Sequence, residues 1–270
     1  MITVAPCGAE TTREHNPAVP FTPAEIAAEA RRAFEAGARM IHVHARRDDG
    51  TPTQDAGRYR ETVAAIRAEA PEMIVQVSTG GAIGMTAQER LGSLAAEPEM
   101  ASLTCGTVNF GRGIFENPAP LMLEFATAIL AAGVRPELEI FDLGHLDNAA
   151  WLAGKAPLEG PQHHDFVLGV PGGAAGTPAN VALMAGRLPD GATWSATGIG
   201  RTTLPVLLGA LGAGGHLRVG MEDTLTFSRG RPVARNAELV ERAAELARLA
   251  QRPPMLPAEA RSFLGIPARA

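Results

Sequence analysis

A chain of 270 residues, 46% hydrophobic and 20% charged, can bury one large core, and α/β barrels of this length form one domain rather than two. A net charge of −5 without any Arg/Lys run excludes the basic surface that nucleic acid or an anionic membrane requires, leaving a small molecule as the expected partner. Cys7 and Cys105 lack Cys-x-x-Cys spacing and read as reduced thiols, and with no charged-then-apolar leader and no long apolar run, a cytosolic protein without a membrane span is expected.

Short β-rich runs alternate with longer helical patterns along the chain. The first strand is expected over 2–5 and the first helix over 23–36, with Thr22 as N-cap, Pro23 at N1 and Glu25 at N3. Gly37 closes that helix, and 39–44 forms the second strand. A helix over 58–70, a strand over 73–77, a helix over 86–96 and a strand over 100–103 follow. The pattern continues with a helix over 118–132 stopped by Gly133, a strand over 137–141 and a short helix over 147–153. Then come a strand over 165–168, a helix over 178–186 capped by Thr177, a strand over 193–196, a helix over 203–211, a strand over 216–219 and a closing helix over 236–251. Eight strands, each followed by a helix, match a (β/α)₈ TIM barrel spanning 1–270 as one domain. The Pro-punctuated tail, 253–270, is expected to pack outside the barrel.

In such barrels the active site is built where strands end and loops follow, and the polar residues concentrate there. His42 and His44 fall on one face of the second strand, about 7 Å apart, so they admit two readings: polar residues at a strand end, or two ligands of one divalent metal. Glu222-Asp223, after the last strand, offers one carboxylate to complete a three-ligand zinc site and another to act as base, although an acidic loop cap fits the pair equally. Arg218 can orient one of these carboxylates or form a structural ion pair. Ser78-Thr79-Gly80-Gly81 presents hydroxyls and bare amides to a ligand carboxylate, or is a turn. The Gly-rich run 169–177 lacks the lysine of a phosphate loop. Lys155, the single lysine, sits in a polar loop, which argues against Schiff-base chemistry.

These residues resemble the β-keto acid cleavage enzyme family, nearly end to end. The likeness is carried by Gly-Ala-Glu-Thr-Thr-Arg at 8–13, Ile-His-Val-His at 41–44, Asp-Asp-Gly-Thr-Pro-Thr-Gln at 48–54 and Ser-Thr-Gly-Gly at 78–81. It continues through Pro-Glu-Met-Ala-Ser-Leu at 98–103, Phe-Val-Leu-Gly-Val-Pro-Gly-Gly at 166–173 and Gly-His-Leu-Arg-Val-Gly-Met-Glu-Asp at 215–223. The resemblance implies a zinc-dependent barrel acyltransferase that condenses a β-keto acid with acetyl-CoA, giving acetoacetate and a new acyl-CoA, and a homo-oligomer, a tetramer. It further implies that His42, His44 and Glu222 bind zinc, and that Asp223 is the general base with Arg218 beside it. Ser78, Gly81, Ser102 and Thr104 would surround the β-keto acid, Glu139 would act near the reacting carbons, and Glu10 would face the substrate's far end. A carboxylate there favours a cationic substrate such as 3-keto-5-aminohexanoate and a place in lysine degradation. Three positions depart from the family pattern: Ser102 for threonine, Thr104 for asparagine, and His145. Two rival readings are an amidohydrolase-like metal hydrolase, which draws further histidines from middle strands and leaves only His145 as candidate, and a silent scaffold barrel without metal.

Overall fold

In the computed structural model, which describes residues 1–158 and 160–267, the chain runs β1 (Ile2–Val4), α1 (Pro23–Ala36), β2 (Met40–Val43), α2 (Ala56–Glu69) and β3 (Ile74–Val77). It continues with α3 (Ala87–Leu91) and a 3₁₀ turn (Gly92–Ala96), β4 (Met100–Thr104), the hairpin β5 (Val108–Phe110) and β6 (Gly113–Phe115), α4 (Ala119–Ala131), β7 (Arg135–Ile140) and α5 (Leu143–Ala153). Then follow β8 (His163–Leu168), α6 (Pro178–Ala185), β9 (Thr193–Gly198), α7 (Thr203–Gly212), β10 (His216–Val219), β11 (Thr226–Ser228), β12 (Arg231–Pro232), α8 (Asn236–Leu249) and α9 (Pro257–Leu264). Parallel strands close into a barrel in the order β1-β10-β9-β8-β7-β4-β3-β2. This is the (β/α)₈ barrel expected from the alternation, with most of the apolar core lying between strands and surrounding helices. Among the described residues no helix is long and apolar enough to cross a membrane.

Local chemistry explains the element ends. Thr22 and Glu25 form a reciprocal capping box at α1, Glu25 N to Thr22 Oγ1 at 3.3 Å and Thr22 N to Glu25 Oε2 at 2.9 Å. Glu25 also receives Arg13 at 2.7 Å, so the loop after β1 is tied to the helix that follows it, and these donors hold the Glu25 carboxyl down at about 2 against its burial. Helix α5 begins at Leu143 rather than near 147, because Asp142 caps it through the Gly144 amide at 3.2 Å. Asp55 likewise starts α2 at Ala56 by accepting from Arg58 N at 2.8 Å. Gly92 ends α3, and the expected single helix continues only as a 3₁₀ turn.

Three elements have no counterpart in the sequence reading: the two hairpins and α9. Each hairpin strand is three residues or fewer, too short for an alternation to stand out from a loop. Helix α9 folds the tail across the N-terminal mouth of the barrel. Its Ala260 and Leu264, with Ile266, bury against Met1, Met40, Ile74 and Met100, while Phe263 meets the rings of His216 and His163 edge-on at 4.4 and 5.9 Å. The last three residues of the tail, 268–270, lie outside the described residues.

Candidate active site

His42 in β2 and His44, the residue just past its end, stand at the C-terminal end of the barrel with ring centroids 5.2 Å apart. Glu222 reaches them from the turn after β10. That turn is fixed by backbone: a side chain at Gly220 would sit 1.9 Å from the Ala5 carbonyl oxygen, and Glu222 N donates to that same oxygen at 3.1 Å. Asn236, at the start of α8, accepts from Met221 N at 2.8 Å and is itself held by Glu29 of α1 at 2.8 Å. Gly8 leaves room for the Glu222 side chain, since a Cβ there would lie 2.7 Å from Glu222 Cγ. Glu222 Oε1 therefore stands 3.8 Å from His42 Nε2 and 3.7 Å from His44 Nε2.

Ligand atoms of a tetrahedral zinc site lie roughly 3.3 Å apart for bonds of about 2.0 Å, and those of this trio all lie within 4.8 Å of one another, so closure of up to about 1.5 Å on the widest pair separates it from coordination geometry. Burial, reinforced by Arg218, keeps both histidines neutral, His44 down at about 3 and His42 well below the usual imidazole range. Neutral imidazole is the ligating form. His42 Nδ1 donates to Gln76 Oε1 at 2.6 Å, which leaves Nε2 with its lone pair, and Glu222 Oε2 is buried without a hydrogen-bond partner. The residues fit a divalent cation. Among the described residues, theirs is the one such cluster of metal-ligating side chains.

Arg218, on β10 and buried, organises the carboxylates. Its Nη2 donates to Glu222 Oε1 at 2.6 Å and to Asp223 Oδ1 at 3.1 Å, while Nη1 lies 3.6 Å from Glu139 and 3.7 Å from Asp165. Asp165 is held in turn by the hydroxyls of Ser195 at 2.8 Å and Thr197 at 2.7 Å. Burial raises Asp223 to about 7 against the pull of Arg218, and its Oδ2 has no partner. Burial also raises Glu139 to about 7, opposed by Arg218 and by the Thr104 hydroxyl, which donates to Glu139 at 2.9 Å. Two buried carboxyls poised near neutrality beside one guanidinium are suited to proton transfer.

Above this floor opens a cavity of about 230 Å³. Glu10, Ser78, Gly81 and Thr104 line it together with His42, His44, Glu139, Arg218, Glu222 and Asp223. Phe110 and Phe115 of the β5–β6 hairpin, with Phe141, Val170 and Ile199, make an apolar wall. Arg46, fully buried, holds the Glu10 loop by donating to the Gly8 carbonyl and anchors to Gly50 O at 2.7 Å. Ser102 does not line this cavity: strand alternation sets it one layer beneath Thr104, where its carbonyl accepts from Thr79 Oγ1 at 2.6 Å and its hydroxyl has no partner. His145 stands apart from the metal-ligating cluster, accepting from Phe141 N at 3.3 Å beside Thr107 O at 3.4 Å, so the further histidine ligand that a hydrolase site would need is not supplied by it.

Thr197, a polar residue expected at the end of its strand, supports the site together with Gln76, Asp165, Asn236 and Glu29, which the sequence did not single out. The available signal was parity for Gln76, the one polar residue of the strand Ile-Val-Gln-Val and in register with His42, whereas Asp165 is masked by the two histidines before it in His-His-Asp-Phe-Val-Leu.

A family model of the β-keto acid cleavage enzymes matches residues 1–266. Over 267 residues the chain is 46% identical to the 3-keto-5-aminohexanoate cleavage enzyme of Acetoanaerobium sticklandii, covering 98% of each. It is 37% identical over 273 residues to the 3-oxoadipate:acetyl-CoA acetyltransferase of Cupriavidus necator, covering 99% of this chain and 95% of that one. Among solved structures, a binary complex of ObcA with oxaloacetate superposes with a TM-score of 0.81 at 22% identity, over 93% of this chain and 68% of that one, a likeness of fold.

Proposed function

Because the chain belongs to the β-keto acid cleavage enzyme family, we propose that it condenses a cationic β-keto acid, such as 3-keto-5-aminohexanoate, with acetyl-CoA to give acetoacetate and a new acyl-CoA. His42, His44 and Glu222 would hold a divalent metal, zinc by the nature of its donors. Such a metal, when bound, polarises the substrate's keto and carboxylate oxygens, acidifies the carbon between them and steadies the enolate charge. The single observation that carries the reading is Asp223 Oδ2, buried, free of any partner and adjacent to this cluster.

Asp223 takes the proton from the carbon between the two carbonyls, with Arg218 holding its other oxygen and Ser78 and Gly81 receiving the substrate carboxylate. The resulting carbanion attacks the thioester carbonyl of acetyl-CoA, and the released CoA thiolate adds to the original keto carbon. Cleavage of the bond between that carbon and its neighbour then gives the new thioester and the enolate of acetoacetate, which takes back the proton held by Asp223, with no covalent bond to the protein. Glu139, near neutrality and hydrogen-bonded to Thr104, is placed to pass protons to the reacting carbonyl oxygens. The exposed Arg112, at the hairpin tip, and Arg201, after β9, support binding of CoA's phosphates at the mouth.

Glu10, a carboxylate lining the same cavity, supports a substrate tail that is cationic rather than anionic. A cytoplasmic homo-oligomer belongs to the same reading; the uncharged helices α6 and α7, with Leu183 and Leu208 half-exposed, support a self-association surface. The test is a panel of β-keto acids incubated with acetyl-CoA and analysed for acyl-CoA products. Turnover should be fastest with an amino or trimethylammonium β-keto acid. Preference for a dianion such as β-ketoadipate would overturn the substrate assignment, and β-keto acid consumption without acetyl-CoA would overturn the reaction.

A further inference from the structure

Behind His42 a line of buried polar side chains crosses the barrel, from β2 through β3 and β7 to β8. His42 and Gln76 are direct neighbours in the sheet, and Gln76 Oε1 accepts from His42 Nδ1 at 2.6 Å. Beyond that bond the line continues with unpaired atoms: Gln76 Nε2 and Glu137 Oε1 are buried without a hydrogen-bond partner, the Gln76 amide is near enough to pull the Glu137 carboxyl down, and both residues are essentially inaccessible. Glu137 Oε2 lies 3.5 Å from His163 Nε2, and His163 Nδ1 is 2.8 Å from Thr193 Oγ1. Among the described residues no arginine or lysine forms an ion pair with Glu137, and burial, reinforced by Asp165 and Glu139 and opposed by Arg218, holds its carboxyl well above the usual range, which favours the neutral acid.

A neutral Glu137 gives every group in this line one consistent direction. His163 Nδ1–H would donate to Thr193, and the Glu137 hydroxyl would face the His163 Nε2 lone pair, 3.5 Å away and otherwise unpaired. The Glu137 carbonyl oxygen would face the unpaired Gln76 amide nitrogen, while Gln76 Oε1 accepts from His42 Nδ1–H. A Gln76 amide turned the other way would donate to His42 Nδ1 and place a proton on Nε2, where a metal ligand needs a lone pair.

We propose that Gln76 and Glu137 are positioning residues, which fix the amide of Gln76 and thereby hold His42 as the tautomer whose Nε2 is free for the metal. This rests on the metal reading above. Zinc dissociation constants, measured on purified protein against a competing chelator dye, test it. Gln76→Met, which keeps volume but removes the acceptor, should weaken zinc binding about 10- to 100-fold, and Gln76→Glu, which restores an acceptor, should return it to within about threefold. Glu137→Gln, which keeps a neutral carbonyl acceptor, should also stay within about threefold, whereas Glu137→Met should lose about tenfold. If Gln76→Met does not fold, the Glu137 pair decides alone. Wild-type zinc affinity in the folded Met variants would overturn the proposal while leaving the metal reading standing. Failure of the wild type itself to bind zinc would overturn both.

Discussion

The two ends of the barrel are lined by the same strands, two residues apart, and could hardly differ more. At the lower end β2, β3 and β4 present Met40, Ile74 and Met100 to Leu264 and Ile266 of the C-terminal segment, an apolar seal with His163 and His216 edge-on to Phe263 beside it. Two positions along, the same strands present His42, Gln76 and Ser102, and β10 adds Arg218. There Arg218 Nη1, Glu222 Oε2 and Asp223 Oδ2 are buried without hydrogen-bond partners. Unmade hydrogen bonds of buried charged groups are destabilising, so the upper end is kept for its chemistry and the lower end for stability. Alterations should therefore separate cleanly: activity without stability above, stability without activity below.

The largest effect is expected from removing metal ligands. A His42→Ala, His44→Ala double variant should fall from about one metal ion per chain to almost none, with kcat/KM down by about 10³-fold or more, read by elemental analysis and steady-state kinetics. Full occupancy in that variant refutes the ligand assignment. Next comes Asp223→Asn, expected to keep its metal and lose about 10²- to 10⁴-fold in kcat. Retention of activity within a few-fold would move the base to Glu139. Because Asp223 must be ionised to act and burial raises its carboxyl to about 7, kcat/KM of the wild type should rise as pH approaches about 7 from below. A profile falling across that range would contradict the role.

Leu264→Ala breaks the comparison from the other side. It should cost about 2–5 kcal/mol of unfolding free energy with kcat nearly unchanged, measured by denaturant titration alongside kinetics. A matching loss of kcat would show that the two ends are coupled. The smallest effect belongs to Glu10→Gln at the exposed rim. Losing a charged hydrogen bond of about 1.5–3 kcal/mol should lower kcat/KM for a cationic β-keto acid about tenfold or more while sparing neutral analogues. Equal losses for both classes would remove Glu10 from tail recognition.

Much of this division was legible in the sequence. Strand alternation placed His42 and His44 on one face, and the position of Glu222-Asp223 after the last strand brought the carboxylates to them. Less legible was what strands hide from one another. Gln76, Asp165 and Asn236 matter through partners 34, 53 and 15 residues away, and only the closed barrel registers them. Ser102 and Thr104 share a strand face, yet only the depth of the cavity floor separates the residue that lines it from the one below. Helix α9 escaped because its apolar positions cover only the barrel's mouth, a short amphipathic pattern behind a Pro-rich lead.

The central claim is that the acetyl group leaves CoA and becomes part of acetoacetate while CoA passes to the other product. Acetyl-CoA labelled with carbon-13 in both acetyl carbons, reacted with the preferred β-keto acid, tests this directly by mass spectrometry and carbon NMR. The account predicts label only in the methyl and keto carbons of acetoacetate and none in the new acyl-CoA. Label in free acetate, or retained in the acyl-CoA product, would contradict it.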